Sequence, residues 1–297
     1  MDGRRTAGRA GFRTASPEPS GRLRPRKSLG QHFLRDTGVV RRIVEAIAPR
    51  PEDALLEIGP GEGALTALLA GAVGRLVVID VDSRATDHLA RLYEGSAVRV
   101  VHADILKTDI TALARHLAPG EHLRVAGNIP YNITSPILFH LLDHRAVIRD
   151  ATLMMQREVA RRLASPPGSK LYGIPSVLVG LLADIDVLFD VPPGAFFPRP
   201  KVHSTVIRLT PLADPRYPVE DFEYFRRMVR AVFGQRRKTL RNSLRAFCGG
   251  EPRGVPPAID TGARPEDLGQ EDLVRLANGL LRGGAAEGKK DNRSVRD

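Results

Sequence analysis

The chain has a single cysteine, Cys248, among 297 residues, so no disulfide can form within it. No apolar run approaches the ~18–20 residues that a membrane-spanning helix needs, and the chain is expected to be soluble, with no membrane partner. Metal-binding spacing is missing too. The eight His are scattered. His140 and His144 lie four apart, but neither a Glu nor a third ligand joins them in a zinc pattern, so no metal is expected. There are no internal repeats. Lysine is scarce, 7 of the 45 basic residues, which makes part of the positive balance a matter of Arg-rich composition. The 34 acidic residues leave a formal net charge of +11. Such an excess suits a polyanionic partner, most often nucleic acid.

Apolar residues are almost missing from the start of the chain. Residues 1–27 hold eight basic and two acidic residues among Gly, Pro and Ser. A disordered basic tail over 1–26 is expected. Lacking an apolar h-region, it is no secretory leader. Its Arg-rich, acid-poor character is compatible with a transit peptide, although the location expected here is cytoplasmic. A second disordered tail is expected over 283–297.

Between the tails the pattern alternates. "ALLEI" (54–58), "LVVID" (76–80), "VRVVH" (98–102), "LRVAG" (123–127) and "TLMMQ" (152–156) read as short buried strands, with helix-like segments between them. This predicts an α/β fold, a doubly wound, Rossmann-like sheet that is largely parallel. "DIDVLFDV" and "HSTVIRL" are expected to add an antiparallel edge. A Pro-rich linker over 211–218 separates this catalytic domain (27–211) from a small helical one (212–282). There "DFEYFRRMVRAVFGQRRKTLRNSLRAF" and "QEDLVRLANGLL" read as helices.

"EIGPGEGALT" follows the first strand and opens a helix. Gly59, Gly61 and Gly63 allow a tight turn whose backbone a ligand can touch. A dinucleotide is the obvious candidate, but the spacing is G-x-G-x-G, and Glu57 would crowd a pyrophosphate while suiting a cation. Asp80 ends the second strand, in position to hold ribose hydroxyls, with Asp82 as its local rival. Asp104 ends the third, able to accept from an adenine amine. A cationic, amino-acid-bearing adenosine fits all four features, and S-adenosylmethionine is such a ligand.

"GNIPYNITSP" stands at the end of the fourth strand, on the carboxyl edge where open α/β sheets bind ligands. An exocyclic amine of adenine or cytosine is a poor nucleophile, because its lone pair is delocalised. The Asn128 amide oxygen and the Pro130 carbonyl are placed to accept from that amine, and Tyr131 to stack on the base. Catalysis is then mainly positioning and electrostatics. The base must be single-stranded or flipped out. "AFFPRPKVHS" offers Phe196 or Phe197 for its other face. In "GQRRKTLRNSLRAF", read as one helix, Phe233, Leu240, Leu244 and Phe247 make an apolar stripe. Beside it Arg237, Lys238, Arg241 and Arg245 make a basic face suited to RNA phosphates.

Through "KSLGQHFLRD", "EIGPGEGALT", "GNIPYNITSPILFHLL", "PPGAFFPRPKVHSTVIRL" and "QRRKTLRNSL" the chain resembles the ribosomal RNA adenine N6-dimethyltransferases from about Lys27 to Leu281. It is most similar to the branch acting on 16S rRNA. The resemblance implies donor contacts at His32, Leu34, Gly59, Asp80, Asp104 and Asn128, with the Gln-His-Phe-Leu segment closing over the donor. It implies Phe196 as the aromatic beside the base. Asp80 stands where the family often has Glu. The resemblance further implies methylation of two adjacent adenosines in a hairpin loop near the 3′ end of small-subunit rRNA, on an immature particle and without a required oligomer. The macrolide-resistance type that acts on 23S rRNA shares the donor loop and the "NIPY" type of motif. A non-catalytic RNA-binding assembly factor is the alternative from another class.

Overall fold

The computed structural model describes residues 23–235 and 238–291. Its strands are β1 (Phe33–Leu34), β2 (Ala54–Ile58), β3 (Arg75–Asp80), β4 (Val98–His102), β5 (Leu123–Asn128), β6 (Ile148–Gln156), β7 (Ala183–Val191), β8 (Phe196–Phe197) and β9 (Ser204–Pro211). Seven of them form one sheet in the order β4-β3-β2-β5-β6-β9-β7. From β4 to β6 neighbours pair in parallel, whereas β9 is antiparallel to both β6 and β7. The late pair of strands thus extends the sheet, with β7 outermost. β1 and β8 make a separate two-stranded clasp, Phe33 opposite Phe197 and Leu34 opposite Phe196.

Burial follows the strand order. The central β2 is buried at every position, while the outer β4 and β7 are only partly covered. Successive side chains of a strand face opposite ways. Leu56 and Ile58 therefore join a core with α4 (Ile110–Leu117), α5 (Thr134–Asp143) and α6 (Arg157–Leu163). Leu55 joins the opposite core, with α1 (Thr37–Ile47), α2 (Thr66–Leu69) and α3 (Ser83–Leu92). The chain leaves β2 for β3 on one side and returns as β5 on the other. The crevice between the carboxyl ends of β2 and β5 is the switch point at which such sheets hold ligands.

A third core gathers α8 (Phe222–Phe233), α9 (Leu240–Cys248) and α10 (Gln270–Asp291), and reaches into α7 (Ile174–Gly180) through Val177 and Leu178. The 211–218 segment is pinned at two points: Leu212 and Arg216 donate their N–H groups to the Leu182 and Leu181 carbonyls, both at 2.8 Å.

Two expectations need correction here. The segment from Gly234 to Phe247 is not one helix. α8 stops at Phe233, and α9 starts only at Leu240, where the N–H groups of Leu240 and Arg241 are taken by the Ala263 and Thr261 carbonyls. Phe233, Leu240 and Leu244 still share a core, but from two helices. Nor does the last helix end before Gly283; α10 continues to Asp291. Gly279 and Gly283 serve close packing rather than termination. A Cβ on Gly279 would lie 2.2 Å from the Gly254 carbonyl oxygen, and one on Gly283 2.5 Å from that of Arg253.

Candidate active site

β2 hands the chain to α2 through a glycine turn. Gly59 and Gly61 have φ of 67° and 57°, the left-handed region that glycine enters without strain. A Cβ on Gly61 would also stand 2.9 Å from the Phe33 ring. Asp80, last in β3, reaches back to this turn. Its carboxylate accepts the N–H of Asp82 at 2.9 Å and of Gly61 at 3.4 Å. Glu57 is 1% exposed and accepts the Thr66 hydroxyl at 2.7 Å. Burial, reinforced by neighbouring Asp80, pushes the Glu57 carboxyl up to about 7. Burial raises Asp80 as well.

Asp82, the local rival of Asp80, is committed elsewhere. It caps α3, is gripped by Arg84 at 2.5 Å and accepts from the Gln31 amide at 2.9 Å. Hydrogen bonds from Arg84 hold its carboxyl down at about 2.

Gln31 belongs to the segment that roofs the crevice. Next to it, His32 touches three parts of the site. Its Nδ1 is 2.7 Å from the Pro198 carbonyl oxygen. Its ring stacks on Tyr131, with centroids 5.4 Å apart. Its carbonyl accepts from the Asn128 amide nitrogen at 2.9 Å. That last bond orients the amide and leaves the Asn128 oxygen as the acceptor. Disorder was expected as far as residue 26, but residues 23–26 are tied to the rim. Leu23 N–H donates to Glu62 at 3.1 Å, and Arg26 pairs with Asp82 at 3.6 Å. Rim carboxylates thus recruit the end of the basic segment; residues 1–22 lie outside the described ones.

The crevice brings together His32, Leu34, Gly59, Gly61, Asp80, Asn128, Pro130 and Tyr131. Its walls carry Glu57, Glu62 and Asp80 and, among the described residues, no Arg or Lys. An acidic cavity in a chain of net charge +11 repels a pyrophosphate and favours a cation. The residues fit a sulfonium-bearing adenosine: acids for its positive charges and ribose, and bare glycine backbone for close approach.

A family model described as ribosomal RNA adenine dimethylase matches residues 22–280. This chain is a ribosomal RNA adenine dimethylase by family. The dimethylase is 48% identical, over 258 residues, to the ribosomal RNA small subunit methyltransferase A of Xanthomonas axonopodis pv. citri, covering 85% of its own chain and 95% of that relative. It is equally 48% identical to the enzyme of the same name from Chromohalobacter salexigens, over 85% of its own chain and 90% of the relative. Among solved structures it is similar to a dimethyladenosine transferase from Plasmodium falciparum. The TM-score is 0.67 and the identity 26%, over 85% of this chain and 98% of that one. It is also similar to the 23S rRNA methyltransferase ErmE, with a TM-score of 0.59 and 28% identity over 84% and 99% of the two chains. The fold is that of the Rossmann-like methyltransferases, and the dimethylase uses S-adenosylmethionine to methylate rRNA adenine.

Within this enzyme several expected contacts shift. The Pro130 carbonyl is already used in a tight turn, accepting from Ile133 N–H at 3.2 Å and the Thr134 hydroxyl at 3.3 Å. Ile129, one residue earlier, also lines the cavity, and its carbonyl receives no such donor among the described residues. The Pro130 carbonyl, expected to meet the base, thus already has two donors of its own chain. Phe196, expected beside the base, faces the core. It is 5% exposed and packs in the core with Leu34 and Val206, whereas Phe197 is 47% exposed. Strand alternation in β8 sends neighbouring rings to opposite sides. Tyr131 is held from behind by a 2.7 Å bond between its hydroxyl and that of Ser204.

Asp104 stands on the same sheet edge but not in the cavity wall. One of its oxygens caps the following turn by accepting from Leu106 N–H at 3.0 Å. On the helical side Arg237 lies outside the described residues, and Lys238 is exposed. Arg241 is engaged with the Thr261 hydroxyl at 3.2 Å, and Arg245 with Glu251 at 2.5 Å. That basic face is thus partly tied to its own chain. No group of three or more His, Cys, Asp or Glu that could hold a metal occurs among the described residues, and no described helix is long and apolar enough to cross a membrane. Gln31 binds Asp82 at the rim, Ser204 anchors Tyr131, Ile129 lines the cavity, and Phe197 stands exposed in the adjoining β8. For the first three the sequence carries no signal of its own, since each acts through a contact distant in the chain or through its backbone.

Proposed function

We propose that the dimethylase modifies the N6 amino groups of two adjacent adenosines in a 3′-terminal hairpin loop of 16S rRNA, on an immature small ribosomal subunit in the cytoplasm, and without a required oligomer. The observation that supports the chemistry best is the Asn128 amide, oriented by the His32 carbonyl, in the wall of a cavity lined with acids. His32, Leu34, Gly59, Gly61, Asp80, Asp104 and Asn128 would hold S-adenosylmethionine, which supplies an electrophilic methyl group when bound. The Asn128 oxygen and the Ile129 carbonyl accept the two N–H bonds of the adenine amine. This draws the nitrogen lone pair out of conjugation and fixes its direction. Tyr131 offers a ring face, and its hydroxyl is anchored on Ser204 so that the plane is set before the base arrives. The chain needs no strong base, since the amine proton becomes acidic once the nitrogen carries the methyl.

The choice of 16S rRNA is supported by relatives of the small-subunit type at 48% identity, against 28% for the 23S enzyme. The helical unit from residue 212, with Lys238, Arg241 and Arg245 and with Arg237 in the adjoining segment, is proposed to contact rRNA phosphates. Tritiated-methyl transfer tests the reading. Immature small subunits should be labelled and large-subunit RNA should not. Labelling of the large-subunit RNA alone would refute the 16S assignment, and no labelling of either would favour a non-catalytic assembly factor.

A further inference from the structure

A base that enters the crevice drags its flanking phosphates to the rim, and something must hold them there. The loop between β8 and β9 is fastened to the site at both ends. The Pro198 carbonyl meets the His32 ring nitrogen, and Ser204 meets the Tyr131 hydroxyl. Between these anchors the chain reads "FPRPKVH", with no acidic residue. Phe197, Arg199, Lys201 and His203 are all exposed. Neither Arg199 nor Lys201 pairs with a carboxylate among the described residues. Pro198 and Pro200 fix φ along the loop, so little conformational freedom remains to be lost on binding.

A second pair of cations adjoins the loop. Arg157 donates its N–H to the His203 carbonyl at 3.0 Å. Its guanidinium and that of Arg161 share one carboxylate, Asp190, at 3.8 and 3.6 Å. Asp190 is itself fixed by the Thr205 hydroxyl at 2.5 Å. One acid shared by two guanidiniums orients both and leaves a surplus positive charge. Phe197 carries the Arg35 guanidinium 4.1 Å from its ring centre and keeps 47% of its surface open.

We infer that this ridge is a second RNA-binding surface. Arg199, Lys201, Arg157 and Arg161 hold the sugar–phosphate backbone on either side of the target adenosine, and Phe197 stacks a neighbouring base. The inference rests on the reading of the crevice as an RNA-adenosine site. It adds a phosphate grip beside the pocket, distinct from the basic face of α9.

The test uses the full-length protein and a single-stranded RNA oligonucleotide with two adjacent adenosines, followed by fluorescence anisotropy across a salt series. Arg199→Glu with Lys201→Glu should weaken binding at least tenfold at low salt. The log–log salt slope should fall by roughly 1.4 for two lost contacts on a single strand. Phe197→Ala should weaken binding severalfold with the slope retained, since stacking carries no counterion release. Melting temperature and donor affinity by calorimetry should match wild type. Should the charge reversal unfold the protein, Arg199→Gln with Lys201→Gln is expected to give the same fall in slope. Unchanged affinity and slope in the folded variants, or no binding of this RNA by wild type, would overturn the inference. A wild type that binds the RNA but transfers no methyl to small-subunit rRNA would instead count against the proposed function and leave the ridge result standing.

Discussion

The Asn128 amide has its oxygen left to accept, because its nitrogen is committed to the His32 carbonyl. Asn128→Ala is expected to lower single-turnover methyl transfer by roughly 10²–10³-fold, the usual cost of losing one preorganised polar contact. Binding of the RNA substrate should change far less, and near-wild-type turnover would assign the motif another purpose. Glu57 makes a pH prediction. With its carboxyl raised to about 7 in the protein without ligand, most molecules below that pH carry a neutral Glu57. A cationic donor favours the ionised form, so binding releases a proton and affinity falls as pH drops through 7. Calorimetry in buffers of different ionisation enthalpy should show that release, and Glu57→Gln should abolish it. The two adjacent phenylalanines should separate cleanly. Phe196→Ala, in the core, should cost about 3–5 kcal/mol of stability. Phe197→Ala should leave the melting temperature alone and appear only in RNA binding.

At the scale of elements, what could be read in advance was what burial dictates. β2, β3 and β5 are short apolar runs covered on both faces, so composition alone marks them. The glycine turn and "NIPY" are legible because their chemistry is local. The break between α8 and α9 is not, since the N–H groups at the start of α9 are satisfied by a loop some twenty residues further on. The tail expected from Gly283 is instead a continuation of α10. Only the approach of the Arg253 backbone reveals Gly283 as a contact. Phe196 and Phe197 could not be told apart until the pairing of β8 with β1 fixed which ring faces inward. An element far from the site gives a stability test. Arg124 in β5 is buried and bonds Asp53 at 2.8 Å, Asp150 at 2.9 Å and the Ile47 carbonyl at 2.6 Å, tying the sheet to the end of α1. Arg124→Met would leave two carboxylates without their shared partner. It should cost about 3–5 kcal/mol in chemical denaturation while the donor affinity of the folded fraction stays unchanged.

Across the whole molecule, charge is sorted: an acidic cavity for the donor is set within a strongly basic chain. Exposed contacts to a polyanion release counterions and weaken steeply with salt, whereas a buried cavity is screened little. Raising salt from 50 to 200 mM should therefore weaken rRNA binding by orders of magnitude and hardly move donor affinity by calorimetry. Parallel losses in both would mean that the two sites share their electrostatics. The β1–β8 clasp has a kinetic consequence. β1 lines the crevice, and its partner β8 is the root of the loop whose Pro198 carbonyl meets His32. Two methyls on one nitrogen consume two donors, so the spent one must leave between transfers. Were it to leave by the parting of β1 from β8, the anchor of the β8–β9 loop would loosen with it. The enzyme is thus expected to be distributive rather than processive. In a pulse–chase with excess unlabelled rRNA, labelled monomethyladenosine should escape into solution and accumulate before the dimethylated product appears.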